Sequence, residues 1–275
     1  MSYLILCGIM CVVDNLGYDL GMKTVFLAGG YGTRIREETE IKPKPMIEVG
    51  GRPLLWHLMK YYASYGFEDF IVCAGYKKDF ISNWLANFQI LNSDFTVKIG
   101  HELNFHSKIE EASWSVTVAD TGLDTMTGGR LKLVEKYLDG ETFFCTYGDG
   151  LSDVNLSELI AFHRSHGKLA TVTTVKPLSR FGVIEVGADG QVEAFKEKPQ
   201  MVDSVNGGFF VFEPRIFNYL NIESILEQEP LKQLAEEGEL MAFQHEGFWQ
   251  PMDTFREYTI LNQMWNSNNA TWKRW

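Results

Sequence analysis

Residues 24 to 46 read T-V-F-L-A-G-G-Y-G-T-R-I-R-E-E-T-E-I-K-P-K-P-M. The run from Thr24 to Ala28 is apolar and rich in residues that fit a pleated surface, and it breaks abruptly at Gly29, Gly30 and Gly32. That pattern predicts a buried strand emptying into a loop. Glycines leave backbone N–H groups uncovered and permit positive φ, so successive amides can converge on phosphate oxygens. Thr33 adds a hydroxyl and Arg34 a permanent charge beside them. Two common phosphate motifs do not fit. The Walker loop needs a lysine directly after its last glycine, and the dinucleotide fingerprint needs a third glycine where this chain has Ile35. A few residues on, Pro43 and Pro45 stiffen the segment that carries Lys42 and Lys44 and hold both lysines near the same strand end.

Working outward, residues 54 to 65 predict a helix opened by Pro53, with Leu54, Leu58, Tyr61, Tyr62 and Tyr65 on a half-buried face. Asp69 to Ala74 predicts a second buried strand. Asp79 to Phe88 predicts a second helix, with Phe80, Trp84 and Phe88 on one core stripe. Residues 95 to 120 alternate poorly, ending in a strand from Trp114 that leads to Asp120. Thr125, Thr127, Gly128 and Gly129 form a polar entry to a helix bearing Arg130, Leu131, Val134 and Leu138, suited to an anion or a base edge or to an ordinary cap. The strand Thr142 to Tyr147 delivers Gly148-Asp149-Gly150, and Asp149 is expected at its carboxyl end, where open α/β sheets gather ligands. Further on come a helix from Leu156 to His166, a strand from Ala170 to Val175, and a hairpin turning at Asp189-Gly190. A strand from Phe209 to Phe212, a helix from Pro230, a strand from Leu240 and a last helix after Asp253 complete the chain. No linker or repeat divides it.

At 275 residues, 45% of them hydrophobic, the chain can bury one large core. A net charge of −11 without any basic block argues against a nucleic-acid or anionic-membrane surface. Cys7, Cys11, Cys73 and Cys145 form no C-x-x-C pair and are expected to be reduced, buried thiols of a cytoplasmic protein. His163 and His166 lie three apart on the predicted helix. Without a second ligand pair they are expected on a solvated face rather than at a metal. The first 21 residues include an apolar run too short to span a bilayer and lacking the positive start of a signal peptide. They are expected to be a non-essential extension, with an added edge strand or oligomer contact as the alternative, followed by one domain over 22–275.

The glycine loop with K-P-K-P-M, then D-T-G-L-D-T-M-T-G-G-R, Y-G-D-G, E-K-P, N-G-G-F-F-V and G-F-W-Q-P-M-D-T, in that order, resembles the sugar-1-phosphate nucleotidyltransferases. The similarity runs from about Met22 to the C-terminus and is strongest toward the branch that transfers cytidylyl groups. It implies a single Rossmann-like α/β domain with a mixed, mostly parallel central sheet flanked by helices. It implies CTP and glucose 1-phosphate as substrates, CDP-glucose and pyrophosphate as products, Mg²⁺ as cofactor, and a homo-oligomer, a hexamer by that branch's pattern. Nucleotide contacts carry over to Leu27, Ala28, Gly29, Gly30, Tyr31, Gly32, Thr33, Arg34, Lys44, Thr125, Arg130 and Gly148. Arg34 and Lys44 are the implied catalytic groups, and Asp149 and Asp253 the implied metal carboxylates. Glu197, Lys198, Asn206 and Gly207 fall on the sugar-phosphate side.

Such a transfer leaves the protein little covalent work; it must align two anions and neutralise charge on the attacking, bridging and leaving oxygens. The resemblance also implies that Asp149 and Asp253 repel each other without metal, so that losing one should leave the metal-free fold intact or slightly stabilised. Three other readings stay open from sequence. One is a uridylyl- or thymidylyltransferase of the same architecture. A non-catalytic nucleotide-sugar-binding subunit is disfavoured by intact Arg34, Lys44, Asp149 and Asp253. A Rossmann oxidoreductase is disfavoured by the incomplete fingerprint.

Overall fold

The computed structural model describes residues 4–6, 9–11, 21–32, 41–100 and 102–275. Eight strands form the central sheet, numbered here in chain order: β1 Lys23–Leu27, β2 Asp69–Ala74, β3 Ser115–Asp120, β4 Phe143–Tyr147, β5 Ala170–Val175, β6 Val205–Asn206, β7 Phe210–Phe212 and β8 Leu240–Gln244. β1 lies between β4 and β2, parallel to both, and β3 continues the parallel run. β7 then joins β4 to β5 in antiparallel pairing, β6 extends that edge of β5, and β8 runs parallel to the other edge. The sheet is mixed and α/β, with the parallel core the sequence predicts.

Alternation along the strands explains why both faces are covered. Phe26, Phe70, Val72 and Phe144 point into one hydrophobic core, while Val25, Leu27, Ile71, Phe143 and Cys145 point into another. A period of two thus serves two cores, as in sheets buried on both faces. Helices α1 Leu54–Ala63, α2 Lys78–Ala86, α5 Leu156–His166 and α7 Phe255–Asn266 contribute to the first core. Helices α4 Thr127–Val134 and α6 Glu229–Glu236 contribute to the second, while the short α3, Phe88–Asn92, has no buried residue.

Three sequence expectations change. α1 is buried nearly all round, from Leu54 through Tyr62, rather than on one face, because it lies between the sheet and the C-terminal segment. The predicted Asp79–Phe88 helix stops at Ala86; its one buried residue is Ile81, and Phe80 is 45% exposed. Of the predicted stripe, Trp84 packs against the first core and Phe88 against Trp84 at 5.1 Å, while Phe80 faces out. His163 is buried rather than solvated: its Nδ1 meets the Thr171 hydroxyl at 2.8 Å and its Nε2 meets Glu213 at 3.1 Å. The thiols of Cys73 and Cys145 are free and buried, as expected. Cys7 and the side chain of Cys11 lie outside what is described.

The C-terminal segment is structural. Trp272 is fully buried, stacks on Phe248 at 5.4 Å, and donates from Nε1 to His57 Nδ1 at 3.3 Å. The other His57 nitrogen meets the Val49 carbonyl at 2.8 Å. Burial holds His57 neutral, with its pKa lowered to about 4. Trp272→Ala is expected to cost about 3–5 kcal/mol of stability in urea unfolding, the range for emptying a buried tryptophan site. A loss under about 1 kcal/mol would show that the segment is only laid on the surface.

Candidate active site

The carboxyl ends of β1 and β4 lie side by side, with Leu27 in register with Tyr147. Beyond them opens a cavity of about 580 Å³, lined by Leu27, Ala28, Gly29, Gly30, Tyr31 and Gly32 on one wall and by Tyr147, Gly148 and Asp149 on the next. Leu123, Asp124, Thr125, Met126, Thr127 and Arg130 close the third wall, and Lys44, Pro45 and Asp253 the floor. Thr33 and Arg34 lie outside the described residues.

Lys44 reaches the floor because its segment folds as a 3-10 turn over Lys44–Met46, with extended Pro43 in front and the Ile47 N–H donating to the Lys44 carbonyl at 3.1 Å. Its Nζ donates to Asp149 and to Asp253, each at 2.7 Å. Burial alone would lower the lysine's pKa, but the two carboxylates outweigh it and hold the pKa above its ordinary value. Lys44 is therefore a fixed cation and not a base. Lys42 faces elsewhere and pairs with Glu48 at 3.2 Å.

A hundred residues of chain separate the two aspartates, and a short antiparallel pair brings them together. Gly150–Ser152 pairs with Trp249–Pro251, Gly150 opposite Pro251, and the Met252 N–H donates to the Asp149 carbonyl at 2.8 Å. Asp253 follows Met252, and Thr254 after it is the N-cap of α7 and forms a capping box with Glu257. Asp253 is thus relieved of capping, and its carboxylate turns to Lys44. Arg180 flanks it from outside, 3.7 Å away and 3.1 Å from Glu257.

Arg130 shapes the wall. The residue is 4% exposed, and its guanidinium donates to the Thr121 hydroxyl and the Gly122 carbonyl at 2.7 Å and to the Gly29 and Leu123 carbonyls at 3.0 Å. This pins the glycine loop to the loop before α4. A Cβ on Gly29 would lie 2.1 Å from Arg130 Nη1, so glycine is needed there to admit the arginine as much as to expose an amide. Arg130→Ala is expected to lower the melting temperature and to raise the triphosphate KM on the order of tenfold, since buried carbonyls lose their donors. Arg130→Lys should not rescue it, because an ammonium cannot span the same fork. A variant that melts and binds like wild type would show that the loops hold without it.

The structure does not bring every predicted residue together. Glu197 and Lys198 pair with each other at 2.9 Å and are not among the described residues that line the cavity. Asn206 stands at its edge, donating to the Tyr147 hydroxyl at 2.9 Å, and the Gly207 carbonyl accepts from Trp249 Nε1 at 2.8 Å. Sequence reasoning missed Tyr147 and Asp124. Asp124 accepts from the Tyr31 hydroxyl at 2.6 Å and lies within a motif from which only Thr125 and Arg130 stood out. Among the described residues no three His, Cys, Asp or Glu side chains gather as a metal cluster. Two carboxylates converging on one point still suit Mg²⁺, which is commonly held by one or two carboxylates with substrate phosphates and water.

A mixed sheet with a polyanion-sized cavity at its parallel strand ends, floored by a lysine between two carboxylates, has a counterpart among known proteins. The nucleotidyl transferase family model matches residues 23–263, and the chain belongs to that family. Among relatives, glucose-1-phosphate cytidylyltransferase of Salmonella typhimurium is 49% identical over 258 residues, 92% of this chain and 100% of that protein. A probable glucose-1-phosphate cytidylyltransferase of Bacillus subtilis is 41% identical over 257 residues, again 92% and 100%. The crystal structure of HddC from Yersinia pseudotuberculosis shares the fold, with a TM-score of 0.66 at 22% identity over 89% of this chain and 99% of that one.

Proposed function

We propose that the chain transfers a cytidylyl group from CTP to α-D-glucose 1-phosphate, giving CDP-glucose and pyrophosphate. The observation that carries the chemistry is Lys44 held between Asp149 and Asp253 on the floor of the cavity. Substrate identity follows the relatives' activity. A sugar-phosphate oxygen attacks the α-phosphorus in line; the bond from that phosphorus to the oxygen bridging the β-phosphate breaks, and pyrophosphate leaves. The loop from Gly29 to Gly32 offers amides to the triphosphate, with Thr33 and Arg34 following in sequence. Lys44 neutralises charge on the reacting phosphates without changing its own protonation. Asp149 and Asp253 would hold Mg²⁺, which when bound supplies a template and a Lewis acid. Glu197, Lys198, Asn206 and Gly207 serve the sugar phosphate in this reading.

The deciding experiment supplies purified protein with glucose 1-phosphate, Mg²⁺ and each of CTP, UTP, dTTP, ATP and GTP, and measures pyrophosphate release. CTP should lead by a wide margin in kcat/KM. A faster reaction with UTP or dTTP would overturn the nucleotide assignment, and release with none would overturn the enzyme.

The oligomer and the location belong to the same reading. Exposed Leu178, Phe181, Ile184, Phe195 and Val202, with Phe181 77% and Val202 88% exposed, support a homo-oligomer, and we take it to be a hexamer. Free buried thiols support a cytoplasmic setting, and no helix among the described residues is long and apolar enough to cross a membrane. We also take residues 1–21 to be dispensable. Leu4–Leu6 and Ile9–Cys11 pair with each other and, among the described residues, with no strand of the central sheet. A chain starting at Met22 should keep full turnover and melting temperature; a large fall in either would make the extension part of the core or an interface.

A further inference from the structure

Glu227 carries an arrangement that the reaction as derived does not use. It sits on the rim, outside the cavity lining, yet both its carboxylate oxygens are taken by hydroxyls of the wall. Oε1 accepts from Tyr147 at 2.7 Å and Oε2 from Thr127 at 2.6 Å. A carboxylate beside a site for polyanions repels them, so its presence calls for a compensating role.

The direction of the hydrogen bonds supplies one. Because Glu227 can only accept, the Tyr147 hydroxyl must give it its proton, and that oxygen is left to accept from Asn206 Nδ2 at 2.9 Å. At the other end, Asn206 Oδ1 accepts the Gly208 N–H at 2.8 Å. The amide is thereby fixed at both ends, with one Nδ2 hydrogen on Tyr147 and the second still to place. The polarity is set from the rim inward: Glu227 fixes Tyr147, Tyr147 helps fix Asn206, and the Asn206 amide keeps one Nδ2 hydrogen for a further acceptor. The same carboxylate anchors Thr127, the first residue of α4, on the nucleotide side.

We propose that Glu227 is a positioning residue for the sugar phosphate, acting through Tyr147 to hold the Asn206 amide as a hydrogen-bond donor between the two substrate sides. The inference rests on the reading of the site as a sugar-phosphate nucleotidyltransferase. It assigns Glu227 no contact with a reacting atom.

The test is steady-state kinetics with CTP and glucose 1-phosphate on wild type, Glu227→Ala, Glu227→Gln, Tyr147→Phe and the Glu227→Ala/Tyr147→Phe double variant, with melting curves for each. Glu227→Ala should raise the glucose 1-phosphate KM about tenfold while kcat and the CTP KM move less than about threefold. Tyr147→Phe should match it, and the double variant should be no worse than either, because the residues act as one relay. Glu227→Gln keeps an acceptor for Tyr147 and should recover most of the affinity. Thr127→Val breaks the other anchor without touching the relay and should lower the melting temperature while the sugar-phosphate KM moves less than about threefold. If wild type turns over and Glu227→Ala leaves the glucose 1-phosphate KM unchanged, or raises both KM values alike, the relay is overturned and the enzyme reading stands. A wild type inert toward sugar phosphates overturns both.

Discussion

Lys44→Ala lowers kcat on the order of 10²-fold or more, the loss seen when one preorganised electrostatic donor is removed. The triphosphate KM should rise much less. The reason lies in the charge: Lys44 is 8% exposed, and its pKa is held high by two carboxylates, so it enters the reaction already protonated and already placed. Lys44→Met separates charge from packing, since it fills the same space without the ammonium, and it should lose as much kcat as the alanine. Its stability should respond as well. With the ammonium gone, Asp149 and Asp253 lose the cation between them, Arg180 flanks Asp253 from outside at the longer distance of 3.7 Å, and breaking such a set by removing one partner destabilises it strongly. Metal-free Lys44→Met should melt below wild type, and added Mg²⁺ should raise its melting temperature more than it raises wild type's. Normal kcat in either variant would remove Lys44 from the catalytic groups. A melting temperature unaffected by Mg²⁺ would detach the carboxylates from the metal.

The parallel core was legible because buried strands announce themselves: β2 and β5 fall at the predicted residues, and β1 and β4 within one. The glycine loop and Lys44 were legible because strand, loop and lysine are close in the chain. Two kinds of feature were not. The pairing of Gly150–Ser152 with Trp249–Pro251 is a three-residue ladder between segments a hundred residues apart, with no period of its own, so only the family resemblance joined Asp149 to Asp253. Arg130 looked like a ligand group because it is charged and follows glycines. It does line the cavity, but its partners in the structure are three backbone carbonyls and the Thr121 hydroxyl, a pinning role that leaves no mark in the sequence. Glu227 was hidden for a similar reason: an acidic residue in the acidic run before α6 reads as solvated until Thr127 and Tyr147 are seen at its two oxygens.

Asp149→Asn and Asp253→Asn should each abolish most activity, and the double variant should be hardly worse than either single, because losses within one working unit do not add. The geometry also changes what is expected of the metal-free fold. Loss of one carboxylate was expected to relieve repulsion, but Lys44 Nζ stands 2.7 Å from both, so the pair is already neutralised in part and each substitution removes an attraction. The metal-free singles should therefore melt at or below wild type, never above it. The cost is about 1–2 kcal/mol, less than the 3–5 kcal/mol of breaking an isolated buried pair, since the remaining carboxylate still balances Lys44. Asp253→Asn should cost more than Asp149→Asn, because the Asp253 side chain is 15% exposed and that of Asp149 39%. Thr254→Ala supplies the control for a capping role. It should remove about 1 kcal/mol of helix stability while leaving the Mg²⁺ requirement where it was. Titrating Mg²⁺ against turnover for the singles and the double, beside Mn²⁺ binding followed by electron paramagnetic resonance, decides the matter. If activity losses in the double variant simply multiply, or if Asp253→Asn binds Mn²⁺ as wild type does, the two aspartates do not share one metal.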